Sequence, residues 1–116
     1  LRETLKDSAL PVHILALDGD SPVAVAALKR HELVKLFPQH SPWLGSVFVQ
    51  PEQRGKGIAA QLVRQVIGLA RSQGFRQLYL QTQNPSGGLY TRLGWEALER
   101  FSVMNEETLL MCRQLE

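Results

Sequence analysis

VQPEQRGKGIAAQLV, residues 49 to 63, sets Arg54, Gly55, Lys56 and Gly57 in a row between an apolar run and an amphipathic one. Glycine in the first turn of a helix costs roughly 0.5 to 1 kcal/mol relative to alanine, so something at this junction must offset it. Upstream, "WLGSVFVQ" from Trp43 to Gln50 is rich in aromatic and β-branched residues and reads as a strand ended by Pro51. Downstream, Ile58, Leu62, Val66 and Ala70 form one row, with Ala59, Val63 and Ile67 beside it. Gln61, Arg64, Gln65 and Arg71 stand opposite, which makes the segment an amphipathic helix, and Gly74 supplies its stop. "RQLYLQT" then reads as a strand, with Leu78 and Leu80 alternating with Tyr79 and Gln81. Strand, long helix, strand is a βαβ unit, and that unit demands a parallel pair.

Antiparallel hairpins flank the unit. Residues 1 to 9 read as the end of a helix, with Leu1, Leu5 and Ala9 in register and Pro11 as its stop. Val12 to Leu17 and Val23 to Leu28 are apolar runs around Asp18-Gly19-Asp20-Ser21-Pro22, a turn, and so read as a hairpin. Val25, Leu28 and Leu36 also fit a 3.6-residue period, so a helix over 23 to 36 is the alternative. In "NPSGGLYTRLGW" Ser86 offers an N-cap, Leu89 and Leu93 an apolar pair, and Gly94 a breaker, which predicts a short helix. Two last strands, near 96 to 103 and 108 to 114, are joined through Asn105-Glu106. The expected fold class is α/β, an α+β sandwich whose mixed, mainly antiparallel sheet holds a central parallel βαβ unit. The 116 residues fit one domain, 1 to 116.

Composition narrows the function classes. The chain is 44% hydrophobic and 21% charged, as in ordinary globular proteins. The start, Leu1 to Lys6, lacks the apolar core of a signal peptide, and no apolar run approaches membrane-spanning length, which points to the cytoplasm. The chain does not open on Met, so residues upstream of Leu1 are expected. A single cysteine, Cys112, excludes an intramolecular disulfide and a cysteine-based zinc cluster, and its apolar surroundings predict a buried thiol. Three histidines show no metal-ligand spacing, and no metal is expected.

Charge is unevenly distributed. From Gln53 to Trp95 there is no acid, while Arg54, Lys56, Arg64, Arg71, Arg76 and Arg92 contribute +6; the remainder carries 7 basic and 11 acidic residues, −4, which recovers the net +2. Such a block implies an anionic partner, a phosphate, nucleotide or nucleic acid, with a solvated basic face as the plain alternative. Residues 53 to 57 lie where the strand gives way to the helix. The first turn there leaves N–H groups unpaired and the peptide dipoles favour an anion. Glycines let successive N–H groups point into one concavity, so the stretch reads as a phosphate cradle.

Known cradles fit unevenly. A nucleoside-triphosphate loop needs Ser or Thr after Lys56, where Gly57 stands. Gly55, Gly57 and Ala60 match dinucleotide-loop spacing, but no acid follows about 20 residues on. RNA binding lacks paired stacking aromatics, since only Phe75, Tyr79, Tyr90 and Trp95 fall in the basic region, and nucleic acid remains the minor option.

"FVQPEQRGKGIAAQLV", with "LYLQT" and "NPSGGLYTRLGW" after it, resembles the GNAT superfamily of N-acyltransferases. The family signature Gln/Arg-x-x-Gly-x-Gly/Ala is met by Arg54, Gly57 and Ala59, and Tyr-x-x-Leu-Gly-Phe/Trp by Tyr90 to Trp95. The resemblance covers residues 43 to 114 well and 12 to 33 by topology. It implies the acyl-CoA N-acyltransferase fold, acetyl-CoA as cosubstrate, and transfer of an acetyl group to a primary amine by direct attack in a ternary complex. It also implies that the amides of Arg54, Gly55, Lys56, Gly57, Ile58 and Ala59 hold the pyrophosphate. A bulge should splay the preceding strand, so that Phe48 and Val49 meet the pantetheine arm or the thioester oxygen, and Asn84 should contact the cofactor.

By the same resemblance Tyr90 donates a proton to the departing thiolate. A phenol with pKa of about 10 suits that task, and plain packing between helix and sheet is the alternative. The strand 43 to 50 has no acid to serve as general base, which leaves His31, Glu32, His40 or water. Trp43 and Phe37 either line an acceptor pocket or cover the core. The family places a strand and one or two helices before the segment that begins here at Leu1. The domain is therefore expected to be N-terminally incomplete, either trimmed or with the strand at 12 to 17 covered by a second copy in a homodimer. The implied acceptor is a small-molecule or peptide amine, with no membrane partner. A cofactor-binding but inactive regulatory module shares the cradle and is the competing function.

Overall fold

Alternation fixes the first described element: Val12 and Ile14 are buried while His13, Leu15 and Leu17 face solvent along β1 (Val12–Asp18). The computed structural model describes residues 10 to 115, so the helix expected over residues 1 to 9 lies outside the described residues. Gly19, in the left-handed region at φ 62°, turns the chain into β2 (Ser21–Lys29), which returns antiparallel to β1. That pairing settles the segment after Val23 as strand rather than helix. β3 (Trp43–Val49), a single 3-10 turn at Pro51–Gln53, α1 (Ile58–Ser72), β4 (Gln77–Thr82) and α2 (Gly88–Arg92) follow. β5 (Glu96–Val103) and β6 (Glu106–Gln114) complete the described chain.

The strands form one six-stranded sheet in the order β1-β2-β3-β4-β6-β5, antiparallel except between β3 and β4. The mixed sheet with a central βαβ unit is the expected fold.

α1 covers one face. Leu62, Val63, Val66, Ile67, Leu69 and Ala70 are its buried row, packed on Ile14, Ala24, Ala26, Leu28, Leu44, Leu78 and Leu80. Each buried aliphatic side chain of this kind stabilises the fold by about 1.5 to 3 kcal/mol. Both helices stop by the same device. Phe75 N–H donates to Ala70 O and Gly74 N–H to Arg71 O; likewise Trp95 N–H donates to Tyr90 O and Gly94 N–H to Thr91 O. Gly74 (φ 89°) and Gly94 (φ 95°) supply the left-handed residue this termination needs.

The loop between β2 and β3 covers the other face. Trp43, Tyr79, Leu110 and Cys112 form a second cluster there, with Leu33, Phe37 and Phe101 packed against it. The His40 ring stacks on Tyr79 at 4.2 Å and on Phe37 at 5.4 Å between centroids. Phe37 and Trp43 therefore cover core, and the buried Cys112 thiol is as expected.

Two local expectations are corrected. Gly87 (φ 80°), not Ser86, is the N-cap of α2; the Ser86 hydroxyl sits one residue early and accepts a long 3.4 Å bond from Gly88 N–H. The β5–β6 turn is built on Met104 and Asn105, both at positive φ (52° and 66°), rather than on Asn105-Glu106. Two left-handed central residues match the twist of the flanking strands. Among the described residues no helix is long and apolar enough to cross a membrane.

Candidate functional site

A bulge opens the sheet at its parallel seam. Between the pairs Ala27–Gly45 and Val25–Phe48, β3 places Ser46 and Val47 opposite Ala26 alone. Ser46 takes φ 54° to do so. The extra residue bends β3 and increases its twist. β3 and β4 consequently share one registered pair, Trp43–Tyr79, and diverge beyond it.

The cradle lies at the divergent end. Gly55 (φ 82°) and Gly57 (φ 79°) carry the chain through left-handed conformations into α1. A Cβ at either would meet nothing within 4 Å, so the backbone conformation, not crowding by the protein, calls for glycine. Arg54 N–H donates to Pro51 O and Gln61 N–H to Gly57 O; among the described residues the N–H groups of residues 55 to 60 between them have no partner. A run of free donors at the start of a 15-residue helix favours a multivalent anion.

A cavity of about 440 Å³ adjoins these groups. Its walls are Val47, Phe48 and Val49 of β3, the loop and first turn at Gln53 to Gly55 and Gly57 to Ala60, and Leu89 and Arg92 of α2. Arg54 and Arg92 are its only charged lining residues, so the field inside is positive. Arg92 and Gln53 were not among the residues expected at the site, although Arg92 belongs to the basic block.

The expected residues differ in placement. Arg54 is drawn back to the strand: its Nε donates to Val49 O at 2.9 Å, and the guanidinium lies 5.7 Å from the Phe48 ring centroid. Gln50 N–H donates to Val23 O, so strand alternation turns the Phe48 amide toward β2 and the Val49 amide toward the opening. Phe48 instead presents a half-exposed ring at the cavity. Lys56 lies outside the lining, its Nζ 3.2 Å from Gln53 Oε1. Asn84 is also outside: its Oδ1 accepts from the N–H and hydroxyl of Ser86, an arrangement that shapes the loop into α2.

A second cavity of about 240 Å³ occupies the slot between β3 and β4. Leu44 to Val47, Leu80, Gln81, Glu32 and Tyr90 line it, and Val47 lines both cavities. Tyr90 packs against the α1-side core and meets Trp95 edge-on at 6.1 Å. Burial holds its phenol above the ordinary value of 10.0. No hydrogen bond to a described residue ties down the hydroxyl. Of the candidate bases, His40 is sandwiched in the aromatic cluster, His31 is exposed and lines neither cavity, and Glu32 faces the slot.

The sequence profile of the acetyltransferase (GNAT) family matches residues 1 to 95. N-acetyltransferase 8B of Homo sapiens is 45% identical over 51 residues, which span 41% of this chain and 22% of that protein. An aminoglycoside 6'-N-acetyltransferase complexed with coenzyme A superposes at TM-score 0.77 and 14% identity, over 93% of this chain and 74% of its own. A phosphinothricin acetyltransferase from Sinorhizobium meliloti in complex with acetyl-CoA superposes at TM-score 0.76 and 24% identity, over 90% of this chain and 61% of its own. At such identities the superpositions speak for the fold. With the profile covering most of the sequence and the splayed parallel seam beside an amide-lined loop, the chain belongs to the GNAT family of acetyltransferases.

Proposed function

We propose that this chain is an N-acetyltransferase that moves an acetyl group from acetyl-CoA to a primary amine by direct attack in a ternary complex. The observation that carries the reading is the run of N–H groups at residues 55 to 60 that have no partner among the described residues, beside a positive cavity that shares Val47 with the cavity between β3 and β4. Solved relatives of the same fold hold coenzyme A or acetyl-CoA.

The chain's own groups fit that cosubstrate. The amides of Gly55 to Ala60 would hold its pyrophosphate, with Arg92 adding charge from α2. The exposed edge of β3, through the Val49 amide, offers the donors an extended amide-bearing arm needs, as a strand partner would. Acetyl-CoA supplies an activated thioester. Tyr90, half-buried at the slot and kept protonated by that burial, would deliver a proton to a departing thiolate. A donor aimed at the thioester oxygen would stabilise the charge that builds there.

Calorimetric titration with coenzyme A, followed by thiol release across a panel of primary amines, tests the reading. Binding with turnover supports it. Binding without turnover on any amine leaves a cofactor-binding module, and absence of binding removes the transferase altogether.

A further inference from the structure

The slot between β3 and β4 is lined from both faces of the sheet, and the two faces present different chemistry at it. Leu44 and Leu80 belong to the α1-side core, whereas Trp43 and Tyr79 belong to the opposite cluster. Strand alternation therefore puts Gly45 and Gln81 on the face away from α1. Glu32 reaches over from the β2–β3 loop to that face. Its Oε1 accepts from Gln81 Nε2 at 3.0 Å, and its Oε2 is 3.4 Å from Lys29 Nζ. Its side chain is only 15% exposed. A Cβ at position 45 would collide with Glu32 Oε2, so glycine there makes room for the carboxylate. Tyr90 closes the same cavity from the α1 side.

We propose that Glu32, held by Gln81 over Gly45, is the group that recognises the protonated acceptor amine and takes its proton. The inference rests on the transferase reading above and deepens it, because it gives the acceptor its charge and its side of entry. A thioester lying in the slot would have the carboxylate on one face and the Tyr90 hydroxyl on the other. The ammonium gives a proton to Glu32, which passes it to water. The freed nitrogen lone pair forms the C–N bond, and the C–S bond breaks with its electron pair going to sulfur. Nitrogen then loses its second proton by the same carboxylate, while sulfur takes one from Tyr90, which is reprotonated from solvent. The balance is one ammonium and one thioester consumed, with one amide, one thiol and one proton formed.

No strand of the parallel pair supplies this acid; it comes from the loop between β2 and β3. Gln81 is a positioning residue, since its side-chain amide donates to the Glu32 carboxylate and so fixes its orientation at the slot. Among the described residues, Lys29 from β2 is the charged group paired with Glu32, and Tyr90 from α2 is the other titratable group lining the same cavity.

The test compares the wild type with Glu32→Gln and Gln81→Ala, using whichever amine of the panel the wild type acetylates best. Glu32→Gln, nearly isosteric, should lower kcat/KM about 100-fold or more and abolish the acidic limb of its pH profile, while the calorimetric affinity for coenzyme A stays unchanged. Glu32→Asp should recover part of the rate, and Gln81→Ala should give a smaller loss with the limb displaced. A Glu32→Gln variant that keeps both rate and profile overturns the assignment and leaves the transferase reading standing. If the wild type binds coenzyme A but acetylates no amine, both readings fall together.

Discussion

Trp43 stands opposite Tyr79 in the only registered pair between the two parallel strands, and beyond that pair β3 and β4 part company. The pair is also sealed from below: both rings lie in the cluster with Leu110 and Cys112, and Trp43 is fully buried. Its indole Nε1 donates to His40 O at 2.7 Å, which ties the loop carrying Glu32 to the start of β3. The slot is thus anchored at one end and held open at the other by the Ser46 bulge.

Removing that anchor should be costly. Trp43→Ala leaves a large hole and an unpaired carbonyl, and should lower unfolding free energy by about 3 to 5 kcal/mol. Urea titration followed by far-UV circular dichroism reads it directly; a loss under about 1 kcal/mol would mean that the site collapses without consequence.

At the cradle, conformation and charge can be separated. Gly57→Ala must hold a left-handed φ and should cost roughly 1 to 2 kcal/mol of stability while still binding coenzyme A. Gly57→Glu carries the same strain and adds a carboxylate beside the free amides, so it should lose coenzyme A binding altogether. Equal calorimetric affinities for the two variants would show that the anion is held elsewhere.

Tyr90→Phe keeps the edge-on packing against Trp95 and removes only the hydroxyl. Turnover should fall by about 100-fold or more with coenzyme A affinity unchanged. If affinity and turnover dropped by the same factor, the hydroxyl would be a binding group rather than a proton donor.

Alkaline stability has a defined sign. Burial raises Cys112 above 9.0, with the Glu96 charge adding to it and a backbone hydrogen bond from Leu78 opposing. Burial also raises Tyr79 and Tyr90 above 10.0, and for Tyr79 the Cys112 charge adds while the Gln77 hydrogen bond opposes. The unfolded chain releases these protons first, so their contribution is complete below pH 9.0 and is lost as pH rises through the higher folded values. Melting temperature should start to fall above pH 9.0, and Cys112→Ala should delay the onset toward 10.0. Scanning calorimetry from neutral to strongly alkaline pH would contradict this if the two proteins declined in parallel.

Local signals in the sequence determined the elements and the cradle. The 3.6-residue row from Ile58 to Ala70 and the stops at Gly74 and Gly94 are set by backbone chemistry within a few residues. Gly55 and Gly57 likewise announce their own left-handed turns, because only glycine adopts them without strain. The Tyr90 assignment came instead from the resemblance of Tyr90 to Trp95 to a family motif, not from local backbone chemistry. Tertiary structure alone decided what depends on residues distant in sequence. The pairing register of β2 with β3 created the bulge, turned the Val49 amide outward and Phe48's inward, and so brought Val47 into both cavities. Asn84 Oδ1 accepts from Ser86 within the turn before α2, and Arg92 of α2 lines the cavity beside the cradle; both placements depend on where α2 packs. Glu32 and Gln81 lie 49 residues apart, and no period or motif links them. They meet because the sheet places β4 beside β3 and the loop after β2 folds across both, and packing of that kind is not encoded in any short stretch of chain.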